Sequence, residues 1–101
     1  MRPASRGSLE ALSELDGTWE VHRAGGLLPP LIAVRKHIEG SHGQTRVAGI
    51  AGAPFDVVGL ELHYRGPFAG FVDVLSFEDG EWRGRALFRG REFGRFTMTR
   101  A

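Results

Sequence analysis

One lysine, Lys36, stands among twelve arginines in this chain. It belongs to an alternating run. Ile32, Val34, Lys36 and Ile38 fall on one face of an extended segment, and Ala33, Arg35, His37 and Glu39 on the other. The first set is otherwise apolar, so strict alternation turns Lys36 inward. An inward ammonium can meet a ligand carboxylate, phosphate or carbonyl, and if burial lowers its pKa it can serve as a Schiff-base amine. The blander and favoured placement is near a rim, with the stem on apolar surface and the ammonium in water. A buried lysine needs a partner. Asp73, the lone acid within the apolar run from Phe71 to Leu75, is the candidate, and the pair would be either a polar anchor in a pocket or a structural ion pair.

The other chemistry-bearing residues carry less. His22 and His37 are predicted on the outer faces of neighbouring strands, but their spacing matches no metal motif and lacks a third ligand, so surface histidines and no metal are expected. Arg83, Arg85, Arg89, Arg91, Arg95 and Arg100 crowd the last third of the chain. A basic sheet face with aromatic residues can bind single-stranded nucleic acid. The expectation here is instead a solvated face paired with Glu81, Glu92 and neighbouring acids. No Ser-His-Asp set, phosphate-cradling glycine loop or paired carboxylate can be argued from spacing, so no catalytic residue is assigned.

These residues must be positioned by short strands. Residues 1–7 are expected to be flexible, and Ser8 can cap a short helix over Leu9 to Leu15. Asp16-Gly17 then turns the chain into a strand from Thr18 to Arg23, with Trp19 and Val21 on one face. Leu27-Leu28-Pro29-Pro30 is an apolar turn, since two prolines cannot continue a strand. Strands are predicted over Leu31 to Glu39, Gln44 to Ala48, Phe55 to Val58 and Leu60 to Arg65, with an irregular corner at Ile50 to Pro54. A further strand from Phe68 to Phe77 is bent at Gly70. Its inward face is ambiguous, either Phe71, Asp73, Leu75 and Phe77 or Val72, Val74 and Ser76. Asp79-Gly80 between apolar runs is the strongest hairpin signal. Trp82, Gly84, Ala86 and Phe88 then alternate with Arg83, Arg85, Leu87 and Arg89, and the last strand runs from Glu92 to Arg100.

The chain therefore reads as an all-β, up-and-down antiparallel barrel of seven or eight short strands with a short N-terminal helix, a single domain over residues 8–101. Its 101 residues leave no room for a second core. With 42% hydrophobic and 25% charged residues it has the composition of a soluble globular domain. A net charge of +1 gives no whole-molecule attraction to nucleic acid. The absence of cysteine removes disulfides and thiolate sites. No apolar run approaches membrane-spanning length and no signal-peptide pattern is seen, so a cytoplasmic location without membrane contact is expected.

A short helical turn followed by Gly17-Thr18-Trp19 at the first strand resembles the lipocalin and wider calycin superfamily. The resemblance implies a barrel whose closed end is plugged by Trp19, with Arg100 of the last strand stacked on the indole. Gly17-Thr18-Trp19 is also similar to the start of the haem-binding nitrobindins, but their glycine-rich continuation is missing and no histidine lies beyond His63, so no cofactor is expected. The leading functional expectation is the binding or carrying of a small apolar or amphipathic ligand. It would enter near Leu27 to Leu31 and lie against Val34, Phe71, Leu75, Trp82 and Phe88, with Lys36, Asp73 and Tyr64 fixing a polar end. A small isomerase, cyclase or decarboxylase acting on a hydrophobic substrate is the alternative, and a homodimer with a filled barrel is the third reading.

Overall fold

A computed structural model describes residues 14–28, 31, 33–48 and 50–101, the side chains of residues 50 and 51 excepted. Eight strands follow one another: β1 (Gly17–Gly26), β2 (Val34–Glu39), β3 (His42–Val47), β4 (Ile50–Val58), β5 (Glu61–Tyr64), β6 (Phe71–Glu78), β7 (Glu81–Phe88) and β8 (Arg91–Arg100). Each pairs antiparallel with its sequence neighbour, and β8 returns to β1 to close the barrel. This is the all-β, up-and-down barrel that the alternation predicts. The expected flexible stretch 1–7 and the expected helix, apart from its last two positions, lie outside the described residues; Glu14 and Leu15 are helical. No helix among the described residues is long and apolar enough to cross a membrane.

The turns explain why the chain meanders. Asp79 and Gly80 have φ of 52° and 78°, and Arg89 and Gly90 have 49° and 84°. Two successive residues with positive φ make a turn whose twist matches that of the strands it joins. The predicted corner at Ile50 to Pro54 is instead the first half of β4. Pro54 is tolerated there because its carbonyl accepts from the Arg65 N–H at 3.1 Å. Its missing donor thus faces the frayed end of β5 and removes no bond from the ladder with β3. β2 starts at Val34 and not at Leu31, and β6 starts at Phe71 after a 3₁₀ turn at Gly66–Phe68.

Because neighbours are antiparallel, the starts of odd-numbered strands and the ends of even-numbered ones share one end of the barrel. Trp19 lies buried there, and its Nε1 donates to the Leu15 carbonyl at 2.8 Å. The Arg100 guanidinium carbon sits 4.2 Å from the Trp19 ring centroid, while its nitrogens donate to the carbonyls of Asp16 and Glu14. Gly17 makes room for this latch. Its φ is +123°, and a Cβ at that position would lie 2.8 Å from Arg100 Nη1. Phe55, Leu62, Leu75, Trp82 and Met98 fill the barrel interior.

Candidate functional site

At the opposite end, a cavity of about 220 Å³ opens among Leu28, Leu31, Val34, Phe68, Phe71 and Phe93. Deeper along the strands, its polar residues are Lys36, Thr45, Tyr64 and Asp73. Their backbone positions follow from register. Lys36 on β2 is opposite Thr45 on β3. Tyr64 ends β5 opposite Phe55, and Asp73 on β6 is opposite Leu62 on one side and Ala86 on the other. All four reach toward the barrel axis and meet there.

Lys36 is buried, at 4% exposure, which overturns the rim placement with its ammonium in water. Alternation gives the face of a residue but not its depth. Lys36 Nζ donates to Thr45 Oγ1 at 2.8 Å and to Tyr64 OH at 2.6 Å, and forms an ion pair with Asp73 Oδ2 at 3.0 Å. Tyr64 OH donates to Asp73 Oδ2 at 2.8 Å and lies 2.7 Å from Thr45 Oγ1. The rings of Tyr64, Phe96 and Phe55 stand 5.3 to 5.7 Å from the ammonium, a further modest attraction.

Burial works to lower the proton affinity of Lys36, but the negative charge of Asp73 and the contacts with Tyr64 outweigh it and hold the pKa above that of an ordinary lysine. Burial likewise raises the Tyr64 pKa, against the opposing pull of the Lys36 charge. At neutral pH the cluster therefore holds an ammonium beside a neutral phenol. The raised proton affinity favours the ammonium over the free amine that a nucleophile requires.

The other residues assigned to a ligand site from sequence are not all brought together. Val34 and Phe71 line the cavity. Leu75 and Trp82 are buried but lie outside its lining, and Trp82 sits edge-on to Trp19 with centroids 6.3 Å apart. Phe88 is left at the rim, 39% exposed, with its ring centroid 4.6 Å from that of Phe71. The cause is a bulge in β8. Ala86 pairs with Gly94 but Leu87 with Glu92, so Phe93 is an extra residue that joins the cavity wall. Sequence reasoning missed Phe93 for that reason. It also missed Thr45, although the register of a hairpin closed at Gly40-Ser41 places it beside Lys36.

The surface residues behave more plainly. Arg83 contacts Glu78, Asp79 and Glu81, and Arg95 and Arg85 both contact Glu92. His22 meets Thr99 and His37 meets Thr18, each at 3.0 Å, and no group of three potential metal ligands occurs among the described residues. Comparison with protein-family models, with curated proteins and with solved structures finds no match to this chain.

Proposed function

We propose that this barrel binds or carries a small apolar or amphipathic molecule in the cavity at its open end. This is the function that its likeness to the lipocalin and calycin barrels, in Gly17-Thr18-Trp19 and Arg100, implies. The observation that carries the reading is the cavity itself, an apolar wall above a compact set of polar groups, the usual composition of a small-molecule site. Leu28 and Leu31 flank the opening, so the ligand passes between them. The volume sets the size. An engineered cavity of about 150 Å³ accepts benzene, so about 220 Å³ suits a ring with a short substituent.

The raised proton affinity of Lys36 counts against the amine-catalysed versions of the enzyme reading, which require a lysine that gives up its proton near neutral pH. Native mass spectrometry of gently purified protein, compared with the denatured mass, tests the binding reading. A retained mass released on denaturation supports it. A clean chain mass in both spectra, together with no binding of any small ring probe, apolar or polar, refutes it.

A further inference from the structure

Among the described residues, two polar valences in the cluster are left over, on the paired groups Lys36 and Asp73. From Lys36 Nζ, the Thr45 and Tyr64 oxygens are 2.8 and 2.6 Å away and 2.7 Å from each other. The Tyr64 and Asp73 oxygens are 2.6 and 3.0 Å away and 2.8 Å from each other. Both triangles are nearly equilateral. Adjacent acceptors are therefore about 60° apart at Nζ, roughly half the angle between two hydrogens of a tetrahedral ammonium. Three acceptors in so narrow a fan cannot each take a well-aligned N–H, which leaves one N–H without an aligned acceptor. On the other side of the pair, Tyr64 and Lys36 both meet Oδ2 of Asp73, and no described residue donates to Oδ1. Lys36 and Asp73 are nearly enclosed, their side chains 5% and 9% exposed, and both line the cavity. A buried N–H and a buried carboxylate oxygen without partners are each unfavourable.

We infer that the cavity takes a small uncharged ring compound carrying a carbonyl and an N–H next to each other, a primary amide or lactam, whose oxygen accepts from Lys36 while its N–H donates to Asp73. The inference rests on the binding reading and narrows it. It replaces the carboxylate or phosphate that a lone inward lysine would suggest. Asp73 already balances the ammonium, and an anion placed beside Oδ1 meets a like charge. An amide completes both valences at once and adds no charge. Scaling from the benzene-sized cavity, about nine non-hydrogen atoms fit, which is the size of benzamide.

The experiment is a titration of the whole protein with four monosubstituted benzenes, followed by amide chemical shifts. Benzamide offers acceptor and donor, acetophenone an acceptor alone, benzoate an anion, and toluene neither. The expected result is that benzamide binds at least tenfold more tightly than the other three, with shifts at Lys36, Tyr64 and Asp73. If acetophenone, benzoate or toluene matches benzamide, the inference is overturned while the binding reading stands. If none of the four binds, the binding reading falls and the inference with it. The unmutated protein is used throughout, so no loss of folding confuses the comparison.

Discussion

Removing Lys36 or Asp73 singly should cost far more than removing both. Two opposite charges 3.0 Å apart attract by about 5.5 kcal/mol at an effective dielectric constant near 20. Taking each charge out of water costs several kcal/mol, so the pair as a whole contributes little net stability. A single substitution leaves the other charge buried without its partner, at about 3–5 kcal/mol. Lys36→Met and Asp73→Asn should each lower the unfolding free energy by that amount. The double variant Lys36→Met/Asp73→Leu should lose less than about 2 kcal/mol, because similar apolar volume replaces both ions. The assay is urea denaturation, reading the midpoint with the slope held as a check on compactness. In Asp73→Asn the sign of the pH dependence is a second readout. Burial then acts on Lys36 without the opposing carboxylate and depresses its folded pKa, so stability should rise as pH approaches the unfolded value of about 10.4. Single variants that lose less than about 1 kcal/mol, or a double variant that loses the sum of the two, would refute the coupling.

The wild-type protein should weaken in alkali. Lys36 and Tyr64 both hold their protons more tightly folded than unfolded, so their contribution is complete below pH of about 10 and is lost as pH rises beyond it; Tyr64→Phe should flatten that fall in a pH series of thermal melts. At the closed end, Trp19→Ala should cost about 3–5 kcal/mol. Gly17→Ala should cost about 1–3 kcal/mol through its backbone conformation and the crowding of Arg100; a loss of a few tenths in denaturant midpoints converted to free energy would show the latch to be dispensable. Near the open end, a Cβ at Gly94 would collide with the Leu28 side chain. Gly94→Ala should therefore lift Leu28 from the mouth, costing about 1–3 kcal/mol and speeding probe dissociation in a stopped-flow displacement assay.

Much of the fold was legible because a half-buried strand writes its two faces into the sequence. Val21 and Trp19, Ile38 and Lys36, and Met98 and Phe96 alternate and are buried together. Asp79-Gly80 specified its turn, since few residues other than Asn, Asp and Gly accept the positive φ required. The Lys36–Asp73 pair stood in the sequence only as a candidate, a cation and an acid each set in an apolar run, with the inward face of the Asp73 strand left open. What was not readable depends on three-dimensional placement. Nothing local distinguishes a lysine in the middle of a strand from one at a rim, because depth is set by how far the neighbouring strands extend. The bulge that brings Phe93 to the cavity and leaves Phe88 outside comes from the pairing of β7 with β8 and leaves no mark in alternation within β7. Pro54 suggested a corner because its tolerance depends on the end of β5, ten residues further along.

The closed ring has one consequence for how the molecule forms. Seven of its eight seams join strands adjacent in sequence and can assemble as successive hairpins, each closing a small loop. The eighth, between β1 and β8, joins residues as much as 81 positions apart, Trp19 and Arg100. Loop closure of that length carries the largest entropy loss in the fold, and slow folding follows from such distant contacts. The Trp19–Arg100 latch sits on that seam. It cannot form until the two ends of the chain have been brought together, so Trp19 fluorescence, read in a Trp82→Phe background, reports closure of the ring.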